Sequence, residues 1–143
     1  MILYLDTSAL VKLYATEPGS VQTRRAVNRA DQVASSLLAY VETRAAFARK
    51  KRMRQLSDAQ LERSKRAFER DWHGFVRLPA DIETVRRAGD LAEQFQLRGY
   101  DALHLATADL LWRETGTHIS FLGFDAALND AASKLGLTVL SVA

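Results

Sequence analysis

The chain has 143 residues, of which 48% are hydrophobic and 26% are charged, a composition typical of one globular domain over residues 1–143. It contains no cysteine, which excludes disulfides and thiolate metal sites and agrees with a cytoplasmic location. No stretch approaches the roughly 20 apolar residues that a membrane span needs. No basic region precedes the apolar start, so we expect neither a membrane anchor nor a signal peptide.

Basic residues are concentrated in one part of the chain. Between Arg44 and Arg70 there are ten Lys or Arg residues and three acids, an excess of +7. The rest of the chain has ten basic and fourteen acidic residues, a balance of −4. Such a segment is either the solvated face of a helix or a track for the phosphates of a nucleic acid, and the sequence leaves both interpretations open.

The periodicity of apolar residues predicts strands that alternate with helices. A first strand, Ile2 to Leu5, ends at Asp6, and Thr7-Ser8 offers an N-cap for a helix that runs to Tyr14. The elements predicted next are a helix at 21–30, a strand at 32–35, helices at 37–52 and 58–72, a strand at 75–78, helices at 81–97 and 101–114, a strand at 118–122, a helix at 126–135 and a strand at 137–142.

This alternation predicts the fold class. Strands separated by helices form a mainly parallel sheet with helices on both faces, so we predict an α/β/α sandwich of four or five strands. On the helix at 81–97, the apolar side chains of Ile82, Val85, Ala88, Ala92 and Phe95 should share one side. Function in such sheets gathers at the carboxyl ends of the strands, near the switch in strand order.

Four acids are predicted to meet at that edge. Asp6 follows the first strand directly, and Asp125 follows the fourth strand. Glu42 lies in the first turns of the helix after the second strand, and Asp101 opens the helix that leads to the fourth strand. Each acid has a structural alternative. The three aspartates could be helix N-caps, and Glu42 could lie in the first turn of its helix because the helix dipole favours a negative charge there.

Carboxylates gathered at one edge repel one another, and a divalent cation offsets that repulsion. His73, His104 and His118 lack the spacing of a zinc site, so we expect a hard ion held by oxygen, Mg²⁺ or Mn²⁺. The chemistry that uses such a site is phosphodiester hydrolysis, in which one or two ions activate a water molecule.

With these residues in view, the chain resembles the PIN-domain ribonucleases, in particular the VapC-type toxins of type II toxin–antitoxin pairs. The resemblance follows the order and spacing of the family over essentially the whole chain. It rests on four segments: Leu3–Leu10, Val41–Ala46, Asp101–Ala108 and Phe124–Leu128.

The resemblance implies a PIN-like fold and a role for each acid. It implies that Asp6 and Asp101 bind the metal directly, while Glu42 and Asp125 bind it through water or orient the nucleophile. It also implies an RNA substrate, a homodimer and a cognate antitoxin that inhibits the enzyme. Similar proteins often carry Ser or Thr two residues before the fourth acid, where this chain has Gly123.

Other classes of protein are less consistent with these residues. A non-catalytic RNA-binding module of the same fold could use the basic run Arg49–Arg54 but would not need four acids. A receiver-type phospho-switch needs paired acids after the first strand and a Lys after the last, and neither is present. No glycine-rich phosphate loop follows a strand, and Ser8 stands where an aspartyl phosphatase would have a second acid.

On its Ala/Leu-rich helix, His104 is interpreted as a packed, hydrogen-bonded histidine and not as a ligand.

Overall fold

A computed structural model describes residues 1–140 of the chain. The five strands of the described residues are β1 (Ile2–Leu5), β2 (Gln32–Ser36), β3 (Val76–Leu78), β4 (Ile119–Leu122) and β5 (Thr138–Val139). The helices are α1 (Thr7–Tyr14), α2 (Ser20–Arg29), α3 (Ala39–Arg52), α4 (Asp58–Trp72), α5 (Ile82–Phe95), α6 (Gly99–Thr115) and α7 (Ala126–Lys134). The predicted order of elements is confirmed. The end of the last predicted strand, 141–142, lies outside the described residues.

The strands form one sheet in the order β3-β2-β1-β4-β5, and every neighbouring pair is parallel. The chain moves outward from β1 through β2 to β3 and then returns to place β4 on the other side of β1. The strand order therefore switches between β1 and β4, where an open parallel sheet forms its ligand site. The predicted α/β sandwich is confirmed, with five strands.

Two hydrophobic cores lie on opposite faces of the sheet because side chains alternate along each strand. Leu3 and Leu5 of β1 belong to the core that includes Phe47 of α3 and Phe68 of α4. Tyr4, between them in the chain, belongs to the other core, which is built largely from α5, α6 and α7. The sheet is thus covered on both faces, as its apolar strands require.

Three local predictions differ from the structure. The N-cap of α1 is Asp6 and not Thr7 or Ser8. Helix α6 begins at Gly99, so Asp101 is its third residue and does not open it. On α5, Ile82 is 75% exposed and Val85 is 52% exposed, because the helix packs through Thr84, Ala88 and Leu91. A helical repeat of apolar residues identifies a helix, but its packing decides which side is covered.

The basic segment forms the second half of α3, the following turn and most of α4. Helix α4 begins with a capping box, in which Ser57 and Gln60 satisfy each other's backbone N–H groups.

Within residues 1–140, no helix has the length and apolar character needed to cross a membrane.

Candidate active site

Asp6 is a buried carboxylate at the carboxyl end of the central strand. It is 4% exposed, and its Oδ1 accepts hydrogen bonds from the backbone N–H of Ala9 at 3.0 Å and from Oγ of Ser8 at 2.7 Å. Burial raises the pKa of Asp6, and the charge of Asp101 adds to the rise, while His104 and the two hydrogen bonds oppose it. A cation beside this carboxylate would therefore relieve an unfavourable buried charge.

The other oxygen of Asp6 faces the turn after β4. A Cβ atom built on Gly123 would lie 2.6 Å from Oδ2 of Asp6, which is closer than any real contact of this kind. Glycine at this position therefore lets the β4 turn approach the carboxylate. Among the described residues, Oδ2 accepts no hydrogen bond, and it is the oxygen left for a ligand.

Asp101 and Asp125 share a single arginine. The guanidinium Nη2 of Arg98 lies 3.2 Å from Oδ2 of Asp101 and 3.6 Å from Oδ2 of Asp125. Asp125 also caps α7, because its Oδ1 accepts from the backbone N–H of Leu128 at 2.9 Å. The Arg98 side chain is 81% exposed, so it bridges the two acids from the solvent side.

Glu42 is held from two elements. Its Oε1 accepts a hydrogen bond from Oγ1 of Thr7 at 2.8 Å and lies 3.2 Å from Nε2 of His104. The other ring nitrogen of His104, Nδ1, lies 2.8 Å from the hydroxyl of Tyr4. His104 is 2% exposed, as expected for the packed, hydrogen-bonded histidine that the sequence predicts.

The four acids are linked through neighbours that they share. Thr7 follows Asp6 and contacts Glu42, while His104 lies one helical turn after Asp101 and contacts Glu42 as well. All four acids therefore lie at the carboxyl edge of the sheet, around its switch point. Asp6 and Asp125 do serve as N-caps, but each cap uses only Oδ1, so the capping role leaves one oxygen of each carboxylate for other contacts.

These residues fit a hard divalent ion. In residues 1–140, no three carboxylate or imidazole groups stand close enough to hold one ion together. Mg²⁺ does not require that, because it takes one or two carboxylates directly and fills its other positions with water. Asp6 offers Oδ2, an oxygen without a hydrogen-bond partner among the described residues, and the present partner of Asp101 is an exposed arginine that can move away.

Sequence reasoning missed four side chains that complete the site. Thr7 and Ser8 adjoin Asp6, and the sequence predicts a capping role for them but no contact with the acids. Arg98 precedes Asp101 by three residues, a helical spacing for an ion pair that could have been noticed. Tyr4 carried no signal, because an inward-facing residue of β1 is equally consistent with plain core packing.

Comparison with known proteins identifies the family of the chain. Residues 3–134 match the model of the PIN domain, so the chain belongs to the PIN-domain family. Within that family it belongs to the VapC group. It is 42% identical over 113 residues to Ribonuclease VapC45 of Mycobacterium tuberculosis strain CDC 1551 / Oshkosh, covering 75% of this chain and 74% of the relative. It is 35% identical over 139 residues to Ribonuclease VapC46 of Mycobacterium tuberculosis strain ATCC 25618 / H37Rv, covering 97% and 96%.

A solved structure repeats the fold. The chain superposes on a toxin–antitoxin complex from Klebsiella pneumoniae with a TM-score of 0.65, covering 99% of this chain and 98% of the other. The identity is 19%, so this likeness concerns the fold.

Proposed function

We propose that this chain is a metal-dependent endoribonuclease that hydrolyses phosphodiester bonds of RNA, and that it is the toxin of a toxin–antitoxin pair. The observation that carries the proposal is the gathering of Asp6, Glu42, Asp101 and Asp125 at the switch point of a PIN-domain sheet. The relatives named Ribonuclease VapC support RNA as the substrate class.

Each acid has a distinct task in this proposal. Asp6, through its open Oδ2, and Asp101 would hold Mg²⁺ or Mn²⁺. When bound, the ion supplies positive charge that polarises the scissile phosphate and makes a water proton easier to remove. Oε1 of Glu42 is engaged by Thr7 and His104, so Oε2 is the oxygen that would accept a hydrogen bond from the attacking water. Asp125 would bind the ion through water or orient the attacking water.

The basic segment supports RNA binding at a distance from the acids. Arg49 and Arg52 are exposed and form no ion pair with the described residues, whereas Lys50 pairs with Glu17. At 1.5 Å per residue, Arg49 and Arg52 lie about 10 to 15 Å along α3 from Glu42. That separation exceeds the Debye length of about 8 Å at physiological salt. These arginines would therefore contact phosphates flanking the cleavage position.

An antitoxin and a second copy of the chain complete the proposal. Arg98 demonstrates that a guanidinium fits between Asp101 and Asp125, so a basic side chain from an antitoxin could occupy the same place. The Klebsiella neighbour, a toxin–antitoxin complex, supports this kind of partner. Exposed apolar side chains of α5, Ile82 and Val85, support a homodimer, for which light scattering of the purified chain is the test.

The test of the central claim is cleavage of a mixed RNA pool with Mg²⁺, with excess chelator, and by the variants Asp6→Asn and Asp101→Asn. Both variants should lower turnover by more than about 100-fold, since even residues that only support a metal ligand cost 10- to 100-fold when replaced. Asn is as good an N-cap as Asp, so Asp6→Asn should remain folded. Asp130→Asn, an exposed acid of α7, is the matched control and should cleave normally.

Full cleavage in chelator, or by Asp6→Asn, contradicts the proposal. Binding of RNA without any cleavage would instead identify a non-catalytic RNA-binding module of the same fold.

A further inference from the structure

We propose that His104 is a positioning residue, which donates a hydrogen bond from Nε2 to Glu42 and is itself set by the Tyr4 hydroxyl. This inference rests on the proposed function, because it assigns the task of holding Glu42 in place during RNA cleavage. Three contacts carry it, and none of them involves the metal ligands Asp6 and Asp101.

The first observation is that His104 has a partner at each ring nitrogen. Nδ1 lies 2.8 Å from the hydroxyl of Tyr4, and Nε2 lies 3.0 Å from Oγ1 of Thr7 and 3.2 Å from Oε1 of Glu42. A histidine used only to fill space would not need both nitrogens directed at polar groups. The ring is 2% exposed, so water cannot replace these partners at little cost.

The partners determine where the ring proton lies. A carboxylate only accepts hydrogen bonds, so the contact with Glu42 requires a proton on Nε2. When Nε2 carries the only ring proton, Nδ1 is an acceptor, and the Tyr4 hydroxyl donates to it. The Nε2 proton is then shared between Oγ1 of Thr7 and Oε1 of Glu42, and the Thr7 hydroxyl donates its own proton to Oε1 of Glu42.

The chain of hydrogen bonds also joins the elements that carry the acids. Tyr4 belongs to β1, which ends at Asp6, and its ring stacks on Phe121 of β4 with centroids 5.6 Å apart. His104 belongs to α6, which carries Asp101, while Glu42 belongs to α3. Tyr4 and His104 therefore fix the Glu42 carboxylate relative to the centre of the sheet. Thr7 and His104 both donate to Oε1, which fixes the orientation of the carboxylate and leaves Oε2 free for a contact in the site.

The first experiment measures the protonated nitrogen directly. Long-range ¹H–¹⁵N spectra of the wild-type chain, without metal or RNA, report which ring nitrogen of His104 carries a proton, and Glu42→Gln provides the assignment control. We expect a proton on Nε2 and a shift of that nitrogen in Glu42→Gln. A bare Nε2 overturns the inference. This readout needs no activity, so it tests the hydrogen bond from Nε2 to Glu42 even if the chain cleaves no RNA and the proposed function fails.

The second experiment separates positioning from packing. His104→Gln keeps an N–H donor near the place of Nε2, whereas His104→Leu keeps volume and removes the donor. With saturating metal, His104→Leu should lower kcat by about 10- to 100-fold with KM within about twofold, while His104→Gln should lose less than about fivefold. Tyr4→Phe keeps the stacked ring and removes the hydroxyl, and its kcat should lie between those of His104→Leu and His104→Gln. Melting temperatures report the folded state of each variant.

The same substitutions are repeated in Glu42→Gln. If His104 acts through Glu42, His104→Leu should cause no further loss beyond about twofold in that background, because the two residues act as one unit. An equal loss in both backgrounds, or an unchanged kcat in the wild-type background, overturns the inference. If His104→Leu does not fold, the same comparison is made with Tyr4→Phe and His104→Gln. Their losses of kcat should be smaller in the Glu42→Gln background than in the wild-type background.

Discussion

The carboxyl end of the sheet and the exposed surface of α3 and α4 carry opposite charge and are built in different ways. At the sheet end, Asp6 and His104 are buried, and hydrogen bonds determine the direction of each side chain. On α3, Arg49 and Arg52 extend into solvent at the end of a helix. The central polar groups of the first region are paired inside the fold, whereas the second region presents exposed charges to a partner.

The difference indicates a division of labour. Burial makes a misplaced carboxylate costly, so the first region can hold reacting groups within the narrow tolerance that catalysis needs. Exposed arginines act through charge, which tolerates movement but is weakened by salt. Substitutions in the first region should therefore alter turnover, and substitutions in the second should alter affinity and its dependence on salt.

Among the substitutions that test this comparison and leave the four acids in place, the largest effect should follow from crowding Asp6. In Gly123→Ala the new methyl group would lie 2.6 Å from Oδ2 of Asp6, and this carboxylate is held by two hydrogen bonds, so either the turn or the acid must shift. Displacement of a reacting group by about 1 Å costs on the order of 100-fold, so we expect turnover to fall about 10- to 100-fold. Steady-state cleavage and Mn²⁺ titration measure it.

The control for that substitution is Gly89→Ala. A Cβ at Gly89, within α5, would meet no atom within 4 Å. Turnover should not change, and stability should rise by up to about 1 kcal/mol because Ala favours a helix over Gly. Normal turnover in Gly123→Ala would mean that the site adjusts freely, and the contrast between the two regions would be lost.

A smaller effect is expected from reversing charge on α3. The double variant Arg49→Glu and Arg52→Glu should weaken RNA binding and flatten its salt dependence, by about 1.4 in the logarithmic slope if each arginine neutralises one phosphate of a single strand. Mn²⁺ affinity should remain normal. Lys50 and Lys51 are left unchanged because their reversal would also break ion pairs with acids. Binding titrations at several salt concentrations measure the slope.

The matched control is Arg25→Glu with Arg86→Glu, two exposed arginines outside the basic segment that give the same change in net charge. If the control weakens RNA binding as much as the α3 variant, only total charge matters. An unchanged slope in the α3 variant would mean that the segment is a solvated helix face.

Arg98 tests whether one side chain belongs to both regions. It is exposed like the basic segment but contacts Asp101 and Asp125. Arg98→Gln removes a cation that competes with the metal, so Mn²⁺ affinity in calorimetry should rise about two- to fivefold, as expected for an exposed ion pair worth up to about 1 kcal/mol. Arg98→Lys should behave like the wild type. A weaker affinity in Arg98→Gln would show that the arginine assists metal binding.

The smallest effect concerns stability and pH. Burial raises the pKa of Glu17, but hydrogen bonds from Lys12 and Lys50 outweigh this and lower its pKa overall. Such a carboxylate stabilises the fold above its unfolded pKa, and the contribution is lost as pH falls through the lower folded value. Glu17→Gln should cost about 1 kcal/mol at pH 7, and the difference should shrink below the ordinary value of 4.5.

Urea unfolding of both proteins at pH 7 and at pH 3 to 4 measures the effect of Glu17→Gln. Glu62→Gln, which removes an exposed pair with Lys65, should change stability little at either pH. A constant difference between Glu17→Gln and wild type across this range would assign the cost to packing and not to charge.

Much of this protein was determined by local sequence. Runs such as Ile2–Leu5 and the helical repeat of α3 identify their elements because the periods of strands and helices differ. The alternation of those elements is sufficient for a parallel α/β sandwich. Because strands of a parallel sheet end at one edge, the positions of Asp6 and Asp125 after β1 and β4 also placed them together before any contact was known.

Contacts between distant segments were decided by the tertiary structure alone. Which side of α5 is covered depends on how α6 packs against it, so Val85 is exposed although it lies three residues, about one helical turn, before the buried Ala88. The hydrogen bonds of Glu42 with Thr7 and His104 join residues 35 and 62 positions apart, and no local pattern specifies such a pair. Gly123 likewise approaches Asp6 only because β1 and β4 are neighbouring strands in the sheet. The physical reason is that such contacts depend on which segments pack side by side, and the order of residues along the chain does not specify this.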